Sequence, residues 1–299
     1  MGETPLQAAR ECGHEAIAAL LLERGAEPRK PAPKEGDRGR FALEPPYAEL
    51  AWSAEAAYLR ILSSSPLAET RPCGDGFAVT TDIDDNTENG VVCDRADDDA
   101  IAEALAWLAE RRAPAQWFVG GSSDLGGRLV AFGASPERTG VVTGAELDRL
   151  ALDGAPPPGI TIVAVRDAAT LAAWRDVARE CLFDDADERA RVLESLGLGE
   201  DAPAQHRIAM RDGRAVGAAS FLLDGETLYG QHLGVLAPER RAGIGRALVE
   251  HALREARSAH AKVAVLGPTP ETIAFYRLLG FVLRPYLRDR SFYLPLPEG

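Results

Sequence analysis

The stretch Gly234-Val235-Leu236-Ala237-Pro238-Glu239-Arg240-Arg241-Ala242-Gly243-Ile244-Gly245-Arg246-Ala247-Leu248 constrains this chain most. An apolar strand runs into a turn, and two glycines then open an amphipathic helix. Glycines at this spacing let backbone N–H groups approach an anion, and the helix N-terminus adds its dipole. Arg240 and Arg241 add positive charge, so the pattern describes a diphosphate cradle. A Walker loop is excluded because no Lys-Ser/Thr pair follows. A dinucleotide fingerprint is excluded because Leu248 stands where the third glycine belongs. A plain glycine helix cap is the competing reading.

A second stretch narrows the choice: Thr269-Pro270-Glu271-Thr272-Ile273-Ala274-Phe275-Tyr276-Arg277-Leu278-Leu279-Gly280-Phe281. Its Tyr-x-x-x-Gly-Phe ending and the Arg-x-x-Gly-x-Gly loop together resemble the GNAT superfamily of N-acetyltransferases. The resemblance implies an acetyl-CoA-dependent enzyme, with acetyl-CoA as co-substrate and no metal. Cofactor contacts are then expected at Leu233 and Val235 on the strand, through Arg240, Arg241, Ala242, Gly243, Ile244, Gly245 and Arg246, and at Thr269. Many members carry asparagine at that last position, so the pantetheine contact there is weakened to one hydroxyl. Tyr276 would protonate the departing thiolate. The glutamate that members often carry on the strand is missing, since Tyr229 falls near its place. Asp224 and Glu226 in the preceding turn, His232 in the strand itself, and a water relay remain as routes for the amine proton.

The rest of the chain divides at two linkers. Arg29 to Arg40 is polar and rich in Pro and Gly, and Asp153-Gly154-Ala155-Pro156-Pro157-Pro158-Gly159 is a second break. Residues 1–40 carry Thr4-Pro5-Leu6, Gly13-His14, Leu20-Leu21-Leu22 and Gly25-Ala26, and resemble one ankyrin repeat. A lone repeat cannot bury its apolar face. It is expected to dock on residues 41–156 of the same chain; docking on a second chain would make it a homodimerisation element. Residues 41–156 read as a helix over 47–62, strands near 77–80 and 90–93, a helix over 98–111, a strand at 116–119, a short helix over 124–132 and a strand at 139–143. Residues 157–299 repeat that order, with strands at 160–165, 207–211, 215–223, 228–236, 262–266 and 290–294, and helices over 168–182, 243–256 and 270–279. The expectation is an α/β (α+β) fold with tandem GNAT-like domains, each a mixed twisted sheet flanked by helices, behind an N-terminal helical hairpin. The first copy has Cys93-Asp94-Arg95-Ala96-Asp97-Asp98-Asp99 at the cradle position, whose aspartates repel a diphosphate.

A net charge of -13 argues against nucleic acid or an anionic membrane as partner, and for a cationic amine. The four cysteines form no CxxC pair and no zinc pattern, as in a cytoplasmic protein. The acidic runs at 82–88 and 184–188 read as solvated loops, the second capping a helix; the first lacks the glycine and the bidentate carboxylate of a calcium loop. The expected activity is direct acetyl transfer to a primary amine of a small molecule or peptide, in a groove between residues 168–198 and the turn at Asp224. A coenzyme-A-binding interaction module with little turnover is the alternative.

Overall fold

The computed structural model describes residues 46–81, 83–119, 124–136, 141–199, 202–285 and 290–294. The ankyrin-like segment lies outside them. Helix α1 (Tyr47–Leu62) leads into β1 (Glu69–Cys73), β2 (Gly76–Thr80) and β3 (Gly90–Val92). Then follow α2 (Asp98–Glu110), β4 (Gln116–Phe118), α3 (Leu125–Ala131), β5 (Ser135–Pro136) and β6 (Val141–Glu146). The second half runs β7 (Ile160–Ala164), α4 (Ala168–Cys181), α5 (Ala186–Leu196), β8 (Ala204–Arg211), β9 (Arg214–Asp224) and β10 (Thr227–Val235). It ends with α6 (Ile244–Ser258), β11 (Val263–Leu266), α7 (Ile273–Leu278), β12 (Val282–Pro285) and β13 (Ser291–Tyr293).

Two mixed sheets form, ordered β1-β2-β3-β4-β13-β5 and β12-β6-β11-β10-β9-β8-β7. Each holds one parallel pair, β3/β4 and β10/β11, joined by a crossover helix, α2 and α6. The duplication expected from element order is therefore a duplication of topology. Its execution differs from two consecutive units. Strand β6, expected to close the first copy, lies between β11 and β12 of the second sheet, with Val263 opposite Glu146 and Val282 opposite Gly144. Strand β13, expected to close the second copy, lies between β4 and β5 of the first, with Ser291 opposite Phe118. The two halves exchange one interior strand each. Strands β1, β5 and β12 are short or half-exposed elements that the periodicity does not single out, and helix α5 starts where the acidic run at 184–188 reads as a cap, with Asp185 as N-cap.

Helix α1 is wedged between the sheets. Its small buried residues Ala48, Ala51, Ala54 and Ala56 allow close approach on several sides. Tyr47 lies over Gly144 of β6, where a Cβ would stand 2.2 Å from the ring. Tyr58, Leu59 and Leu62 share one core cluster with Val79, Val92 and Phe118 of the first sheet and Val142, Leu222 and Val265 of the second. The far side of the second sheet is covered by α6, whose Ile244, Leu248 and Leu253 are buried.

Phe292 of β13 is 1% exposed and fills the core of the first half. Phe292→Ala is expected to cost roughly 3–5 kcal/mol. Amide exchange measured alongside denaturant unfolding should show protection lost first in β4, far away in sequence. Loss confined to the C-terminal residues would mean that β13 is a dispensable edge.

Candidate functional site

Strand β10 pairs with β11 only from Thr227–Val263 to Gly230–Leu266. A bulge against β9 follows between Gly230 and His232. From Gln231 to Val235 the strand has only β9 as a partner among the described residues, so its other edge faces an opening. The bulge adds local twist and splays β10 away from β11.

The chain then turns into α6. Gly243 is the N-cap, with φ of 80°, a left-handed conformation that glycine adopts freely. No side chain caps this helix and its first turn holds no acidic residue. Its leading N–H groups are thus presented with full dipole and without a competing acceptor. Arg240, Arg241 and Ala242 are exposed here, and the Arg240 guanidinium donates from Nε to the Val235 carbonyl at 2.9 Å. Arg246 is held by Glu250, its Nε 2.6 Å from Oε1. A Cβ on Gly245 would touch only Val235 and Leu233, at 3.7 and 3.9 Å, so the bare residue keeps the space between α6 and β10 open. An elongated diphosphate fits these residues. At the matching place in the first half, Asp97 caps α2 by accepting from Ala100 N–H at 2.8 Å, and Asp98 and Asp99 occupy the first turn. That helix end is closed to anions.

Below the bulge lies a cavity of about 210 Å³. The strand contributes Tyr229, Gln231 and His232 to its wall. The remaining walls belong to the first half and its borrowed strand: Glu55 and Tyr58 of α1, the loop at Thr87 and Glu88, Gln116 and Phe118 of β4, and Tyr293 of β13. This cavity does not border the turn at Asp224, one side of the expected groove. That turn is exposed, and Glu226 there pairs with Lys262 at 2.6 Å.

His232 sits on the cavity wall with its ring edge-on to Phe183, 4.6 Å between centroids. Burial first, and the Arg189 charge second, push its pKa down to about 3, so the imidazole is neutral. Tyr276 is buried between Phe275 and Phe281, with ring centroids 4.8 and 5.6 Å away, and does not line the cavity. Burial raises its pKa and keeps the phenol protonated. Thr269 is exposed, and its hydroxyl lies 3.2 Å from that of Thr272. The structure thus gathers Leu233, Val235, the arginines and both glycines at one place, His232 at the cavity, and Tyr276 in the neighbouring core.

The two acidic runs are not simply solvated. Arg189 of α5, buried at 4% exposure, gathers Glu88, Asp85 and Asp185 around one guanidinium, the aspartates at 2.8 Å each. Its face also stacks on Phe183, 4.1 Å from the ring centroid. Tyr58 donates to Glu88 Oε2 at 2.9 Å. Burial lifts the Glu88 carboxyl to about 7 against the pull of Arg189. Sequence reading missed this cluster because Asp85 and Glu88 lie about a hundred residues from Arg189. No group of three or more His, Cys, Asp or Glu placed to hold a metal occurs among the described residues. No helix among them is long and apolar enough to cross a membrane.

Comparison with known proteins agrees with this geometry. Residues 170–281 match the family described as Acetyltransferase (GNAT) family, and residues 1–31 match the ankyrin repeat. A comparison with curated proteins gave no match. A GCN5-related N-acetyltransferase from Kribbella flavida superposes with a TM-score of 0.61 at 20% identity, over 84% of this chain and 96% of that one. A tandem GNAT protein from the clavulanic acid biosynthesis pathway superposes with a TM-score of 0.52 at 17% identity, over 99% of each chain. At these identities the likeness is one of fold.

Two outcomes are expected of the buried polar groups. Arg189→Met strands Glu88 in the interior and should destabilise by roughly 3–5 kcal/mol in denaturant unfolding. Adding Glu88→Gln should recover part of that loss; a single variant as stable as the parent would show the cluster to be incidental. The second concerns His206, whose Nδ1 lies 2.8 Å from the Ser220 hydroxyl. Burial, then Arg207, depresses its pKa from 6.5 to about 3. A histidine held neutral when folded contributes stability above pH 6.5 that is lost as pH falls toward 3. Between pH 7 and 5 the parent should lose about 2 kcal/mol more than His206→Gln, since all other groups titrate in both. Parallel pH curves would contradict the assignment.

Proposed function

We propose that this chain, which carries a GNAT acetyltransferase domain behind a topologically duplicated partner, transfers acetyl from acetyl-CoA to a primary amine at the mouth of β10. The observation that carries this reading is the uncapped, basic N-terminus of α6 beside a strand edge freed from its neighbour. A thioester supplies the activated acetyl group. Val235 and Leu233 would flank the pantetheine arm, and Gly243, Gly245, Arg240, Arg241, Ala242, Ile244 and Arg246 would enclose the diphosphate. Thr269 would offer one further hydroxyl. A backbone N–H at Val235 or a neighbour would polarise the acetyl carbonyl. Tyr276, kept protonated by burial, would return a proton to the leaving thiolate. The amine enters by the cavity under the bulge. Its walls mix carboxylates with aromatic rings, a lining suited to a cationic amine.

The test is calorimetry with acetyl-CoA, followed by thiol release with a panel of primary amines. One site per chain is expected, because the α2 terminus is closed by aspartates. Gly245→Trp should keep the fold but weaken binding more than tenfold, since its side chain enters the diphosphate space. Tyr276→Phe should lower kcat without changing acetyl-CoA affinity. Two sites, or an unchanged Kd in Gly245→Trp, would refute the cradle. Tight binding without thiol release for every amine would favour a coenzyme-A-responsive interaction module.

A further inference from the structure

The cavity has an asymmetry that the transferase reading leaves unexplained. Strand β10 gives it no carboxylate, and its histidine is neutral with a depressed proton affinity. Both carboxylates on the wall, Glu55 and Glu88, come from the half that cannot bind a diphosphate. They are not equivalent. Glu88 is 1% exposed and committed to the Arg189 guanidinium and the Tyr58 hydroxyl. Glu55 is half-buried on the face of α1 that meets β10, and its Oε1 accepts from the Tyr229 hydroxyl at 2.7 Å. Tyr229 lies just before the bulge, on the same wall as Gln231 and His232. Helix α1 is fixed at one end by Tyr47 over Gly144 and at the other by Leu59 in the shared core. A carboxylate is thus held at the acceptor end of the transferase half by an element of the other half.

We propose that Glu55 is the proton acceptor for the attacking amine, with the Tyr229 hydroxyl positioning its carboxylate and able to relay the proton. This rests on the transferase reading given above. An ammonium entering the cavity would lose one proton to Glu55, directly or through Tyr229. The freed nitrogen lone pair forms the N–C bond to the acetyl carbonyl carbon, and the C–S bond breaks with its electron pair on sulfur. The second nitrogen proton leaves as the amide forms, and the thiolate takes up a proton. Glu55 returns its own to solvent, so one proton is released per turnover. Among the described residues, the charged or titratable groups that line the cavity with Glu55 are Tyr58 on its own helix, Glu88 with Arg189 behind it, Tyr229 and His232 on β10, and Tyr293 on β13. All of them persist in the variants below except Tyr229 where it is named.

The experiment uses the full chain with acetyl-CoA and four amines: phenethylamine, spermidine, glucosamine and a lysine-containing peptide. Thiol release is followed across pH. Glu55→Gln preserves shape and can still accept from Tyr229. It should lower kcat/KM about 100-fold or more and remove the rising limb at low pH, leaving only the rise that follows the free-amine fraction of the acceptor, with acetyl-CoA affinity unchanged. Glu55→Asp should keep the limb at reduced rate. Tyr229→Phe leaves the carboxylate but removes a donor that favours its charged form, so the limb should move to higher pH. Activity of Glu55→Gln within about threefold of the parent, with the same pH profile, overturns the proposal. If Glu55→Gln does not fold, an unmoved limb in Tyr229→Phe overturns it instead. A parent silent with all four amines overturns the transferase reading itself, and this proposal with it.

Discussion

Each sheet has an interior place that only the other half can fill. Strand β6 joins β11 to β12, and β13 joins β4 to β5. A missing interior strand would leave two rows of backbone donors and acceptors unpaired in a dry core, which is far costlier than losing an edge. Neither half can therefore close alone, and the halves cannot drift apart once formed. This differs from domains joined by a linker, where relative motion is the default. The cavity between them inherits that rigidity, and a site assembled from both halves can hold its groups at fixed positions.

The Arg189 cluster follows from the same constraint. The strand exchange presses α1, the 83–89 loop and α5 together, and the loop brings Glu88 and Asp85 into the seam. The buried Glu88 needs a partner, and Arg189 provides one planar donor set for it and for the half-buried Asp85 and Asp185. The Arg189 charge, after burial, also helps to keep the His232 imidazole neutral. The seam thereby influences the chemistry of the cavity as well as the fit of the halves.

Much of the fold was legible because its signals are local. The helix over 47–62, the strand at 90–92 and the helix opening at Gly243 follow from periodicity, caps and glycine spacing. The uncapped helix start was legible for the same reason, since Arg240 to Arg246 are seven consecutive residues. Strand pairing is not local. Val141–Glu146 and Ser291–Tyr293 read correctly as strands near their observed bounds, but nothing in an alternating pattern names the partner. The default of pairing within one's own copy failed for both. The acidic loops misled similarly, because a carboxylate run looks the same whether water or a distant arginine surrounds it. The ankyrin-like leucines lie outside the described residues.

The two halves also divide an electrostatic conflict. A site that joins a diphosphate to an ammonium needs positive potential at one end and negative at the other, within one short path. Placing both on one strand–turn–helix unit would let each weaken the other at low dielectric. Here the basic helix end belongs to the second half, where α6 is uncapped and flanked by arginines. The carboxylates belong to the first, whose own helix end is sealed by Asp97. A helix end sealed by aspartates and an acidic wall are thus compatible features of one half: aspartates that would repel a diphosphate do no harm in a half that holds none. On the proposed reaction, the half whose helix end is sealed by Asp97 is then the half that presents negative charge to the cavity.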